Sequence, residues 1–164
     1  MKGRWCVIAD TSSKGASTVV ANGPAPDYGV FCGAHRGPYL AYTRARIGDE
    51  AAAPVVEAVL RDLRSSWSVV LSSACPAREA WAVLGHAVDD ASHSRSERRA
   101  GGDVLHGLLA RPQADAALLH YRLGLTLTAV AQLTGVSPSE VAVRVLTAER
   151  HLGSEWVQAL TERR

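Results

Sequence analysis

The stretch GLTLTAVAQLTGVSPSEVAVRVLTAERHL, residues 124–152, decides how this chain folds. It reads as two helices joined by a tight turn. Ala131 is small where the helices must cross closely, Gly135 supplies the left-handed backbone conformation of such a turn, and Val136 plugs the gap between the helices. Ser137, followed three residues later by Glu140, is a capping box. Pro138 sits at the first helical position, where its missing N–H has no partner to lose. Val141, Val145, Ala148 and Leu152 then recur at helical spacing and give the second helix one apolar stripe. The pattern predicts a helix-turn-helix.

In such a unit the second helix enters the major groove of DNA, where its exposed side chains reach base edges. Here those are Ser139, Val143, Arg144 and Thr147, with Arg144 the side chain best suited to a base or a phosphate. Arg150 and His151, further along, are placed for phosphates, and Glu140 is at once a cap and a negative charge facing the DNA. Residues 113–164 carry five basic and five acidic side chains, a net charge of zero. Taken alone, the module therefore supplies little of the counterion release that drives DNA affinity. A helical hairpin used for packing or for a protein partner is the competing reading of the same motif.

Working outward, Ala114, Ala117, Leu118 and Tyr121 predict a helix between Pro112 and Gly124, preceded by a short one containing Val104, Leu105, Leu108 and Leu109. Residues 92–112 read as a linker, because SHSRSERRAGG at 92–102 has no apolar period, and they separate a domain at 113–164 from one at 28–91. The latter reads as a three-helix bundle. Its first helix places Phe31, His35, Tyr39 or Leu40, and Thr43 or Ile47 on one face and stops at Gly48. The second runs from about Glu50 to Ser66 behind Asp49 as N-cap, with Pro54 in its first turn and a stripe of Val56, Leu60, Leu63 and Trp67. Glu57 and Arg61 lie one turn apart, as for a surface ion pair. A loop over 68–75 leads to Pro76 and a third helix with Ala77, Ala80, Trp81, Leu84 and Val88 on one face. Residues 1–27 form a separate arm with two short β-rich runs, at 5–9 and 18–21, either a hairpin or a segment without regular structure. The expected class is all-α, with two small helical domains.

Composition narrows the function. At 164 residues the chain is too short for a barrel or a large multidomain enzyme, and 47% hydrophobic with 21% charged residues is the balance of a folded chain. Eighteen Lys and Arg against sixteen Asp and Glu leave a net charge of +2, which excludes a protein that coats nucleic acid with a broad positive field. Three cysteines, Cys6, Cys32 and Cys75, are odd in number and widely spaced, so they read as small buried apolar residues in a reducing compartment. The apolar run at 5–9 is too short for a signal peptide or a membrane span, and the expected location is the cytoplasm.

A bundle, a linker and a C-terminal helix-turn-helix in this length resemble the extracytoplasmic-function group of bacterial sigma factors over about residues 28–164. The 124–152 stretch has the shape of sigma region 4, which in that family grips the minus-35 promoter element and meets the polymerase β flap. Phe31 onward, with Tyr39, Ala41, Tyr42, Ile47, Gly48 and Asp49, then 52–60, resembles region 2. There the second helix docks on the β′ clamp helices of RNA polymerase core. The resemblance implies polymerase contacts at Val56, Glu57, Leu60 and Arg61, and likens Trp81 to the tryptophan that opens the minus-10 helix. Its implied partners are RNA polymerase core, promoter DNA and an anti-sigma or other regulatory protein, with no membrane. Two stretches depart from the family pattern. Pro54, Glu57 and Leu60 stand where an Asp, a Gln and a Phe are usual, and Gly85, His86, Asp89 and Asp90 follow Trp81 where Asn and basic residues are usual. A degenerate sigma-like protein-interaction module is the alternative function; a stand-alone repressor lacks an evident dimerisation helix after Leu152.

Other constellations carry less. Cys32 and His35 have the spacing of half a zinc site, with no second pair to complete it. His86, His106 and His120 read as helix spectators. Asp89 and Asp90 point about 100° apart on a helix and read as a solvated face rather than a paired acid site. With no phosphate-cradling loop and no nucleophile elbow, no catalytic residue, cofactor or metal is expected.

Overall fold

Asp27 starts the first helix by accepting the Gly29 N–H, and α1 then runs Tyr28–Ile47. The computed structural model describes residues 27–96, 104–153 and 156, and among these every regular element is helical. The arm expected over residues 1–27 lies outside the described residues, apart from the Asp27 cap. Gly48, at φ +83°, breaks the chain between α1 and α2 (Asp49–Ser65); Asp49, expected as the cap of α2, is its first residue instead, with its carboxylate 3.3 Å from Arg44. Pro54 lies inside α2 rather than in its first turn, because that helix begins at Asp49. Proline removes one N–H from the helix ladder at this point, on a stretch of α2 where Ala53 and Pro54 are exposed.

The segment expected as a loop is partly helical. Trp67–Ser72 form α3, and Val70 is drawn into the core while the Trp67 ring packs against Phe31 with centroids 4.8 Å apart. After it, α4 spans Pro76–Ser96, passing Ala91 into the stretch read as linker. Helices α1, α2 and α4 pack on one another around Phe31, Tyr39, Tyr42, Leu63, Trp81 and Leu84. Trp81 is buried against the Tyr42 and Tyr39 rings, at 4.7 and 5.9 Å.

The second half comprises α5 (Val104–Leu108), α6 (Arg111–Ala117), α7 (Leu127–Thr134) and α8 (Pro138–Leu152). α6 continues without a break into a π-helical turn at Leu118–Arg122, a widened ladder in which the Leu123 N–H reaches the Leu118 carbonyl. α8 packs across α6 and α7, and α7 packs against α4. The buried cluster that begins at Phe31 thus extends through Leu105 and Leu118 to Ala148, on both sides of residues 92–112. The cysteines divide. Cys32 is a free thiol, whereas Cys75, expected to be one, is disulfide-bonded; Cys6 lies outside the described residues. No helix among the described residues is long and apolar enough to cross a membrane.

Candidate nucleic-acid interface

The helix-turn-helix is built as its local chemistry demands. Thr126 caps α7 by accepting the Ala129 N–H, and Gly135 closes it at φ +69°, ψ +28°, the left-handed region. Ser137 caps α8 by accepting the Glu140 N–H at 3.0 Å, with Pro138 opening the helix. The predicted capping box is made on one side: the Glu140 carboxylate turns forward to Arg144, at 2.5 Å, because a guanidinium one turn on is the stronger partner. Ala131, Val136, Val141, Val145 and Ala148 are buried between the helices.

The outward face of α8 carries the expected residues in one row. Ser139 is exposed, with its hydroxyl 2.9 Å from that of Ser137. Val143 is 62% exposed, and Leu146, one turn on, is 50% exposed. The Thr147 hydroxyl donates to the Val143 carbonyl, and His151 Nδ1 lies 2.8 Å from the Thr147 carbonyl, so both side chains are folded back onto their own helix. Arg150 stands exposed at the C-terminal end. Arg144 is held along the helix by Glu140. The other carboxylate of α8, Glu149, accepts a very short bond from the Tyr121 hydroxyl in the π-turn. Burial raises the Tyr121 hydroxyl pKa further than the adjoining carboxylate does, and both keep it a donor.

The four residues expected to touch polymerase separate by burial. Val56 is 0% and Leu60 4% exposed; both point into the bundle against α1 and α4, and neither offers a surface to a docking partner. Their stripe is the core face of α2. Glu57 and Arg61 are exposed, but they do not form the expected pair. Glu57 takes two bonds from Arg36 of α1, at 2.6 and 2.8 Å, because the α1–α2 packing brings that guanidinium closer than the helical neighbour.

A polar cluster that local spacing did not reveal lies where α1, α4, α5 and α6 meet. Arg46, nearly fully buried, donates to the Tyr42 hydroxyl at 2.7 Å and to Asp89 at 2.8 Å. Tyr42 donates to Asp115 at 2.5 Å, His106 Nε2 sits 2.8 Å from the same carboxylate oxygen, and Arg111 reaches Asp89 at 3.0 Å. Asp89 is therefore a partner of two guanidinia and not a solvated charge, which corrects the reading of the Asp89–Asp90 pair; Asp90 is exposed. Burial raises the Tyr42 pKa most and the adjacent Asp115 charge adds to it, so the phenol stays a donor. Gly85 makes room: a Cβ there would fall 1.2 Å from an Arg111 terminal nitrogen. The spacings of four between Tyr42 and Arg46 and between Arg111 and Asp115 were the sequence signals available. With Asp89 and Asp115 each beside at least one cation, the cluster ties α1, α4, α5 and α6 together.

Cys32 and His35 differ in surroundings. The His35 ring is buried and stacked on Phe31 at 4.0 Å, its Nδ1 bonded to the Phe31 carbonyl, while Cys32 is only half-buried. No known protein family, curated protein sequence or solved structure matches the chain.

Proposed function

We propose that this chain is a sigma-factor-like transcription regulator that binds promoter DNA through α7 and α8 and RNA polymerase core through the α1–α4 bundle. The observation that carries the DNA half is the capped helix, left-handed turn and second helix with Ser139, Val143, Arg144 and Thr147 on its outward face. On this reading Arg144 leaves Glu140 when a base edge or phosphate is presented, an exchange of one charged partner for another. Arg150 and His151 then meet the backbone. The polymerase half rests on the family resemblance of the bundle and on Glu57 and Arg61, the exposed members of the implied set. Such a regulator performs no chemistry of its own and works beside the chromosome.

A specific observation favours a second reading, a sigma-like module that binds protein and not promoter. The outward face of α8 includes two exposed apolar side chains, Val143 and Leu146, and its best cation is neutralised within the helix. One experiment separates the two. The full chain is mixed with RNA polymerase core and labelled promoter-library duplexes, and retention is compared for wild type and Arg144→Ala. Core binding with duplex retention that is lost in the variant supports the promoter reading. Core binding with retention indifferent to Arg144 favours the protein-binding module, and no core binding at all overturns the sigma reading.

A further inference from the structure

The helix-turn-helix does not stand alone on the surface: its turn is pressed against the first turn of α4. A Cβ added to Gly135 would lie 2.3 Å from the Arg78 backbone nitrogen and 2.7 Å from its Cα, so these two stretches of backbone are in direct contact. Arg78 Nε donates to the Gly135 carbonyl at 3.2 Å, and the disulfide-bonded Cys75 sulfur lies 3.5 Å from the same oxygen. The guanidinium is thus held at the turn by a bond that uses one of its five N–H groups, in a residue that is exposed. Ser137, the cap of the recognition helix, follows Gly135 by two residues, which is at most about 7 Å of chain.

Charge gives this placement its meaning. α7 has no ionisable side chain, and in α8 Glu140 and Glu149 offset Arg144 and Arg150. The helix-turn-helix therefore brings no net charge to a phosphate backbone. Arg78 is a cation that the bundle sets beside the turn, bonded to Gly135, two residues before the Ser137 cap of α8. Its neighbour Glu79 is exposed too, but successive side chains on a helix diverge by about 100°, and Glu79 is not the one bonded to the turn.

We infer that the DNA-binding surface is composite, with Arg78 of the bundle supplying a phosphate contact beside the turn. This inference rests on the reading of α7–α8 as a DNA-binding unit, and it does not depend on polymerase. The contact carries no sequence information: it adds affinity and salt dependence equally on every duplex, whereas Arg144 discriminates between duplexes.

The test is the salt dependence of binding of the full chain to fluorescein-labelled duplexes, for wild type, Arg78→Ala, Arg78→Gln, Arg78→Lys and Arg144→Ala. Gln keeps a donor for the Gly135 carbonyl without the charge, and Lys keeps the charge. Losing one phosphate contact lowers the slope of log K against log salt by about 0.9, which amounts to roughly eightfold weaker binding at 0.1 M salt and almost none near 1 M. We expect that loss in Arg78→Ala and Arg78→Gln on all duplexes, and the wild-type slope in Arg78→Lys. Thermal melts of each variant identify any that fail to fold, and Arg78→Gln then carries the comparison. An unchanged slope in folded Arg78→Gln, with Arg144→Ala still impaired, overturns the composite surface and leaves the DNA-binding reading standing. A wild-type chain that binds no duplex overturns both.

Discussion

Placing a side chain at Gly135 should part the two halves of the molecule, and the cost divides into two measurable pieces. The residue sits at φ +69°, a conformation that costs an L-residue about 1–2 kcal/mol. Separately, its Cβ would meet Arg78 nitrogen, Cα and Cβ at 2.3, 2.7 and 2.8 Å. That obstacle is the backbone of a 21-residue helix and cannot rotate aside, so α4 and α7 must separate until the contact is relieved. Overpacking of this kind costs about 1–3 kcal/mol. Gly135→Ala should therefore lose about 2–5 kcal/mol. Gly135→Asn isolates the steric piece, since Asn enters the left-handed region readily but still brings a Cβ. Urea unfolding followed by circular dichroism gives the difference through the midpoint at constant m-value, and each kcal/mol should lower the melting temperature by about 2–4 °C. Both variants should be destabilised, Asn by at least about 1 kcal/mol. An Asn variant within about 0.5 kcal/mol of wild type would refute the close approach of α4 to the turn.

Two tyrosines three residues apart on α1 should respond in opposite ways to loss of the hydroxyl. Tyr42→Phe removes a donor to Asp115 and an acceptor from Arg46, both charged, and should cost about 1.5–3 kcal/mol in urea unfolding. Tyr39→Phe removes a fully buried hydroxyl that has no hydrogen-bond partner, and should be neutral or stabilising by up to about 1 kcal/mol; equal losses in the two variants would contradict this assignment. Burial lowers the pKa of His35, with the bond to the Phe31 carbonyl acting the other way. The unfolded chain then binds the proton more readily, so the contribution of His35 to stability is present above about pH 6.5 and is lost as pH falls toward the folded-state value. The slope contributed by one such group is at most about 1.4 kcal/mol per pH unit, and His35→Phe, which keeps a ring to stack on Phe31, should remove it from the difference between unfolding curves at pH 7 and pH 5.

The sequence by itself determined the helix-turn-helix, because every feature that makes it lies within a few residues of its cause. Gly135 turns the chain where only a residue without Cβ enters that region cheaply, Ser137 satisfies an N–H three residues on, and the α8 stripe follows from the helical period. The break between α1 and α2 was legible for the same reason, since Gly48 separates two apolar periods, but the cap was not: Asp49 is the first residue of α2 and makes no cap bond. Helix α3 was not legible, because six residues hold too little periodicity and Val70 is fixed by a core formed elsewhere in the chain. Tertiary structure alone decided which charges meet. Glu57 passes over Arg61 for Arg36, 21 residues away, and Asp89 joins Arg46 and Arg111 through space left by Gly85. It also turned Val56 and Leu60 inward, away from any partner, and set Arg78 against the turn of a helix pair that carries no net charge. Capping and periodicity act over one or two turns, so a linear pattern records them. An ion pair between helices depends on how each helix is rotated and where it crosses its neighbour, and those are fixed only when the core packs.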